Sequence, residues 1–110
     1  MNAPPDLPPS ASSAGPTLAP EELAGNKLLA LFDRAAARDF ADVYVLAHLF
    51  GKDVLLARAA QIDAGFDASV LADMIATLDR FTDSEIPVPD GSSAPELRAF
   101  YAAWRSELAA

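Results

Sequence analysis

The chain has 110 residues, enough for one small domain, and it contains no cysteine, which excludes disulfide bonds, thiolate nucleophiles and cysteine metal sites. Asp and Glu outnumber Lys and Arg by 16 to 8, and the net charge of -8 repels a polyanion, so we expect no bulk binding to nucleic acid. No apolar run reaches the roughly 20 residues that a membrane span needs, and no secretory signal is present, so we expect a cytoplasmic protein with no membrane partner.

The first segment, residues 1–17, consists largely of Pro, Ala and Ser. Each proline fixes φ and removes a backbone donor, which predicts a disordered or polyproline-like tail. This segment is either a genuine tail or a remnant that lies upstream of the true translation start. We expect residues 18–110 to form the folded domain.

Two helices are predicted next. The first begins at Pro20, a residue favoured at the first helical position, and is predicted to run to about Ala36 with Leu23 among its inward residues. The second is predicted from about Asp39 to Phe50, with Leu49 widening its apolar face and Gly51 ending it.

Three more helices complete the prediction. The third runs from about Asp53 to Ile62. The fourth is capped by Asp67 and directs Val70 and its helical neighbours inward. After the loop "TDSEIPVPDGSS", a capping box at Ser93 begins the fifth helix. No segment alternates as a strand does, so the predicted fold is all-α, a compact bundle of about five helices.

Four charged residues interrupt the otherwise apolar stretch "NKLLALFDRAAARDFADVYVLAHLF". Lys27 and Arg34 are seven residues apart, so they differ by about 20° around the first helix. Asp39 and Asp42 share a face of the second helix because they are three residues apart. An antiparallel hairpin would bring both pairs to one seam, although the sequence does not fix the crossing of the helices.

The charges have a structural and a functional interpretation. In the structural one, the long cationic side chains cover apolar surface, Asp39 caps the second helix, and Asp42 pairs with Arg34 or Arg38. In the functional one, Lys27 and Arg34 bind a nucleotide phosphate, and a neighbouring carboxylate orients the lysine, holds a metal through water or acts as a base. The spacing by itself leaves both open.

The region from residue 17 onward resembles the C-terminal helical part of the AbiEii/AbiGii-type nucleotidyltransferase toxins. That family's pattern is Lys-Leu-x-Ala-Leu-x-x-Arg followed by Arg-Asp-x-x-Asp. This chain has "KLLALFDR" at residues 27–34 and "RDFAD" at residues 38–42. The "DAGFD" turn and the closing "ELRAFYAAWRSEL" are also similar to family members.

The resemblance implies a type IV toxin–antitoxin and phage-defence role, with a polymerase β-like fold that uses magnesium and an NTP. It implies nucleotide contacts for Lys27 and Arg34 and a catalytic role for Asp39 and Asp42, with Asp42 the better candidate for an anchor or a partner of Arg34. It also implies an antitoxin partner. No metal ligand is assigned in this chain.

The chain departs from the family pattern in one respect. The family's Gly-Gly/Ser loop and Asp-x-Asp pair lie upstream of the helical region, and residues 1–26 contain neither. Two-metal chemistry needs such ligands. We therefore expect a truncated or split toxin that is inactive alone. The alternative is a non-enzymatic helical module that binds an antitoxin, the missing core or, through an uncovered apolar face, a second copy.

Four further residues are expected to have structural roles. His48 has no second His or Cys nearby in the sequence and is expected to be a packing residue. Ser93 is expected to cap the last helix. Tyr101 and Trp104 would suit base stacking, but their stripe with Leu97 and Leu108 favours core packing.

Overall fold

The fold of this protein, a computed structural model, is described for residues 19–109, and it consists of helices joined by short connections. No strand is present in that range, so the predicted all-α class is confirmed. The predicted tail of residues 1–17 lies outside the described residues. The elements in chain order are α1 (Pro20–Asp33), α2 (Ala37–Phe50), α3 (Lys52–Ile62), α4 (Ala68–Ala76), 3-10 turns at Thr77–Arg80 and Asp83–Glu85, and α5 (Ala94–Ala109).

The start and stop signals of the helices act mostly as predicted. Gly51 ends α2 with φ of 95°, a left-handed conformation that an L side chain rarely adopts. Asp67 caps α4, since its carboxylate accepts from the backbone N–H of Ser69 at 2.8 Å. Ser93 and Glu96 form the predicted capping box at the start of α5, each side chain accepting from the other's backbone N–H.

The end of α1 differs from the prediction. The helix ends at Asp33 rather than near Ala36, because Ala35 adopts φ of 50°, in the left-handed region. This conformation reverses the chain within the three residues that separate the two helices. An alanine gives no sequence signal for such a turn, which usually uses glycine.

The core lies where α1 crosses α3 and where α5 closes over α4. Tyr101 and Trp104 are almost fully buried in it, so the predicted packing role is confirmed. The other core residues are Ala24, Leu28, Leu29, Leu31, Ala35, Phe40, Val43, Ala47, Leu55, Ala59, Leu71, Ile75, Leu78, Ile86 and Leu97.

Gly25 sets the distance between α1 and α3. A Cβ built on Gly25 would lie 2.8 Å from the Cβ of Arg58 and 3.1 Å from its backbone carbonyl carbon. A contact of 2.8 Å is essentially never seen for a real Cβ, so the absence of a side chain at this position allows the two helices to approach closely.

Three apolar residues predicted to point inward are exposed. These are Leu23 on α1, Leu49 on α2 and Val70 on α4. Helical periodicity identifies a broad apolar stripe, but only its centre is covered by a neighbouring helix, as the burial of Phe40 and Val43 beside exposed Leu49 shows. The prediction was therefore wrong at the edges of the stripes.

One arginine of α5 holds the connection between α4 and α5. Arg98 donates to the carbonyl oxygens of Leu78 and Phe81 at 3.3 and 2.6 Å, and its Nε donates to Asp83 at 2.8 Å. All three groups lie in or beside the 3-10 turns. The side chain of Arg98 thus donates to carbonyl oxygens at the end of the first 3-10 turn. These oxygens have no following helical turn to supply donors.

Candidate functional site

The hairpin of α1 and α2 brings together the four charged residues that the sequence singled out. Arg34 lies at the turn with Asp39 in the first turn of α2, and Lys27 lies two turns further up α1 opposite Asp42. Lys27 therefore lies on α1, Arg34 follows its last residue, and both carboxylates lie on α2. This arrangement confirms the expected common seam between the helices.

Asp39 is the buried half of the first pair. Its side chain is 1% exposed, and Nε and Nη2 of Arg34 each donate a hydrogen bond to it at 2.9 Å. The backbone N–H of Ala36 donates a third hydrogen bond at 2.9 Å, so Asp39, in the first turn of α2, also caps that helix, as the structural interpretation of the charges holds. A bidentate guanidinium contact is among the stronger polar interactions in proteins.

The balance of forces keeps this carboxylate ionised. Burial is the largest single influence on the pKa of Asp39 and raises it, but the hydrogen bonds from Arg34 and Ala36 and the charges of Arg34 and Arg38 together outweigh burial and lower the pKa. The same contact with Asp39 raises the pKa of Arg34. A carboxylate with a lowered pKa and both oxygens engaged is a poor proton acceptor and a good anchor.

Lys27 and Asp42 form the second pair, and they remain accessible. The lysine Nζ lies 3.2 Å from Oδ2 of Asp42, and the two side chains are 41% and 42% exposed. They line a shallow depression together with Leu23, Val45 and Leu46. The expectation that Asp42 pairs with Arg34 or Arg38 was wrong, because its partner is Lys27 and the turn at Ala35 leaves Arg34 next to Asp39.

The hairpin lies within a region that matches a known protein family. The family model described as "Nucleotidyl transferase AbiEii toxin, Type IV TA system" matches residues 3–109. The chain belongs to this AbiEii family. The resemblance noted in the sequence is therefore confirmed, and the match begins earlier than residue 17. No curated protein and no solved structure matches the chain.

Nucleotidyltransferases of this kind typically use an NTP and a metal, and the residues of the AbiEii hairpin suit these two ligands unequally. Within residues 19–109 no three His, Cys, Asp or Glu side chains gather closely enough to hold a metal ion. Asp39 has both oxygens engaged, and Asp42 is paired with Lys27. These residues do not fit magnesium, which prefers several oxygen ligands around one point. An exposed lysine fits a phosphate.

His48 of this AbiEii chain is exposed rather than packed inside. Its Nδ1 lies 2.8 Å from the carbonyl oxygen of Tyr44, which only accepts, so Nδ1 carries the hydrogen. The ring packs against Tyr44 and Phe100 at centroid distances of 4.5 and 5.1 Å. The expected packing role of His48 is therefore confirmed, although the residue lies at the surface.

Sequence reasoning missed one surface feature of the site. Val45 and Leu49 are exposed on the same face of α2 as Asp42, so the ion pair with Lys27 lies beside uncovered apolar side chains. The spacing 42, 45, 49 contained the signal, since it places the three residues on one helical face. Among residues 19–109 no helix is both long and apolar enough to cross a membrane.

Proposed function

We propose that this chain is the helical part of an AbiEii-type nucleotidyltransferase toxin, and that its α1–α2 hairpin contacts the phosphates of a nucleoside triphosphate. The observation that carries the proposal is the family match over residues 3–109, which includes the hairpin and its four charged residues.

In this proposal Lys27 is the phosphate contact. Its ammonium group is accessible in the depression between α1 and α2. An incoming phosphate would bind this ammonium group, either in place of the carboxylate of Asp42 or beside it. Asp42 is then a positioning residue, since it holds the lysine side chain at the hairpin face in the absence of nucleotide. The catalytic role predicted for Asp42 stays a prediction.

Arg34 and Asp39 take a different part. The side chain of Arg34 is half exposed, while that of Asp39 is buried. The carboxylate of Asp39 binds Nε and Nη2, and the rest of the guanidinium faces solvent. A pre-oriented guanidinium binds a phosphate with less loss of side-chain freedom. Asp39 is proposed to position Arg34, because its engaged oxygens and lowered pKa do not suit a general base.

The proposal assigns the magnesium ligands to residues outside 19–109, because the carboxylates described here do not fit that ion. We therefore expect the 110-residue chain to bind a nucleotide without transferring it, as a truncated or split enzyme would. Transfer would require a metal-binding core supplied by other residues or by another chain.

A calorimetric titration tests the phosphate contact. Mg-ATP, Mg-GTP, Mg-CTP and Mg-UTP are titrated into the wild type, Lys27→Ala and Lys52→Ala, while transfer of a radiolabelled nucleotide is assayed in parallel. The two lysines are matched, since Lys52 also pairs with a carboxylate across helices, at 3.1 Å from Glu107. They are the chain's only lysines.

We expect Lys27→Ala to weaken binding of at least one nucleotide by about tenfold or more, as loss of a charge-assisted phosphate contact does, and Lys52→Ala to leave it unchanged. A folded wild type that binds none of the four nucleotides would contradict the phosphate role of the hairpin. Transfer by the chain alone would contradict the placement of the metal ligands elsewhere.

A second function is favoured by the exposed apolar residues of α2. Leu49 is 69% exposed and lies on the same face of α2 as exposed Val45. Neighbouring exposed apolar side chains are typical of a surface that binds another protein. In this alternative the helical module binds an antitoxin or a partner subunit and has no catalytic role. Co-purification of a tagged chain with its genomic neighbours, compared with Leu49→Glu, distinguishes the two: partner binding that is lost with Leu49 and no nucleotide binding would support it.

A further inference from the structure

A shallow groove lies between α2 and the turn that precedes α5. We call it the Asp90 groove, and it is lined by Tyr44, Val45, His48, Leu49, Pro89 and Asp90. Its floor on α2 is apolar, because Val45 and Leu49 are both exposed there. The groove thus combines uncovered aliphatic surface, aromatic rings and one carboxylate.

The turn that forms one wall of the Asp90 groove is fixed by the fold. The backbone N–H of Ser92 donates to the carbonyl oxygen of Pro89 at 3.1 Å, and Gly91 has φ of 83°, as the third residue of a type II turn does. Buried Ile86 anchors the chain before the turn, and the capping box of α5 follows it. Asp90 is therefore held beside α2 on a closed turn.

The aromatic wall is equally well ordered. The rings of Tyr44 and His48 pack against Phe100 of α5 at centroid distances of 5.2 and 5.1 Å. Because Nδ1 of His48 donates to the carbonyl oxygen of Tyr44, Nε2 of the neutral ring is an acceptor. The polar groups that the imidazole and the carboxylate bring to this groove therefore accept hydrogen bonds.

The carboxylate of Asp90 decides what is able to cover the groove. No cation among residues 19–109 lies at ion-pair distance from it, so water solvates it in the free chain. A partner that covers Val45 and Leu49 also displaces this water. An ionised carboxylate that loses water without gaining a partner is strongly destabilising, so the covering surface must bring a cation.

Arginine fits this groove better than lysine does. A guanidinium is planar, stacks on aromatic rings and donates several hydrogen bonds at once, whereas an ammonium group is more strongly hydrated and costs more to cover. Arginine beside apolar side chains is also common at the centre of protein interfaces. Phosphate-rich partners do not fit, because the carboxylate of Asp90 and the net charge of -8 repel them.

We infer that the Asp90 groove is a docking site for a partner protein that inserts an arginine flanked by aliphatic side chains. The guanidinium lies against Tyr44 and donates to Asp90, while the aliphatic neighbours cover Val45 and Leu49. The inference rests on the second function proposed above, a module that binds another protein, and gives the chemistry of that partner. It is independent of the nucleotide role of Lys27.

Selection from random peptides displayed on phage tests the partner chemistry. The full chain is the target, and the selected peptides are synthesised and titrated by fluorescence anisotropy. We expect the peptides to share an arginine with aliphatic neighbours, and their binding to shift the amide NMR signals of Val45, Leu49 and Asp90 while that of Val70 stays in place. An empty selection, or binders without a cation, would overturn the inference.

Paired changes on the two sides test the contact with Asp90. Asp90→Asn in the protein and replacement of the peptide arginine by glutamine should each weaken binding by about tenfold. Together they should weaken it little more than either alone, since both remove the same contact. Asp73→Asn, at an exposed site of α4, is the control and should leave binding unchanged. Losses that multiply in the combination, or an equal loss with Asp73→Asn, would contradict the contact.

A matched pair of valines tests the aliphatic contact. Val45 and Val70 are 39% and 42% exposed, so Val45→Ser and Val70→Ser make the same change at similarly exposed sites. We expect Val45→Ser to weaken peptide binding by about fivefold and Val70→Ser to leave it unchanged, and equal effects would overturn the inference. If Val45→Ser fails to fold by circular dichroism, Leu49→Gln replaces it.

Other occupants of the groove give distinct results. Arginine amide that binds as tightly as the peptides would make this a small-molecule site. A wild type that sediments as a dimer, with Asp90→Asn a monomer, would assign the groove to a second copy. Either result would overturn the inference. Peptides that bind at Leu49 without dependence on Asp90 would also overturn it, but they would leave the second function itself in place.

Discussion

Replacement of Asp39 by Asn tests whether the buried carboxylate holds the α1–α2 hairpin together. The amide has nearly the same shape, so the change removes charge and not volume. The Asn oxygen in the place of Oδ2 is still able to accept from the N–H of Ala36 and from Nε of Arg34. Its NH₂ group then faces Nη2 of Arg34, where two donors meet and no hydrogen bond forms, and the charge that attracts the guanidinium is gone.

The size of the effect follows from these contacts. A hydrogen bond to a charged group contributes about 1.5–3 kcal/mol, and Asp39 makes three at 2.9 Å while being 1% exposed. The half exposure of Arg34 lets water replace part of what the guanidinium loses, which limits the total. We therefore expect Asp39→Asn to lower the free energy of unfolding by about 2–3 kcal/mol at pH 7.

Urea unfolding measures this loss, with the fluorescence of buried Trp104 and far-UV circular dichroism as probes. The pH dependence has a defined sign. Because the pKa of Asp39 is lowered in the folded state, its contribution is complete above the pKa of the unfolded chain, about 4, and is lost as pH falls through the folded value. The difference between wild type and Asp39→Asn should therefore shrink below pH ~4.

One control substitution and two possible results show whether the ionised carboxylate of Asp39 stabilises the hairpin. Asp73→Asn makes the same chemical change at an exposed site of α4 and should change stability by less than about 0.5 kcal/mol. If Asp39→Asn costs no more than Asp73→Asn at pH 7, the carboxylate does not anchor the hairpin. If its cost is undiminished at pH ~3, the cost does not come from the ionised carboxylate.

Substitutions at three further positions test the fold, each by urea unfolding. Gly25→Ala should lower the free energy of unfolding by about 1–3 kcal/mol, because its Cβ would meet Arg58; a gain in stability, as for a helical glycine with space around it, would refute the close approach of α1 and α3. Tyr101→Phe should cost about 1 kcal/mol by removing the hydroxyl that donates to the carbonyl of Phe40, and an unchanged midpoint would show that this bond contributes nothing net. Ser93→Ala should cost about 1 kcal/mol and Ser93→Gly less, whereas equal losses would argue against capping.

Much of the fold was predictable because the helices carry strong local signals. Pro20, Gly51, Asp67 and Ser93 each mark a helix end through a backbone requirement that the sequence shows directly. The helical spacing around Phe40 likewise identified the centre of a buried face. These signals act over a few residues, so they can be read without knowing the tertiary structure.

The pairing of the charges was not predictable for the opposite reason. Whether Arg34 meets Asp39 or Asp42 depends on how the chain reverses, and the reversal uses Ala35 in a left-handed conformation that its residue type does not signal. The exposure of Leu49 depends in the same way on which helix lies across α2. Such features follow from packing between elements, which periodicity within one element does not contain.

The hold of Arg98 on the connection between α4 and α5 has a consequence for folding. The carbonyl oxygens of Leu78 and Phe81 are capped by a side chain that belongs to α5, so the first 3-10 turn has its full set of partners only when α5 is in place. The turn and α5 should therefore open and close together as one cooperative unit. Hydrogen exchange in the turn thus reports the opening of a helix that begins more than ten residues further along the chain.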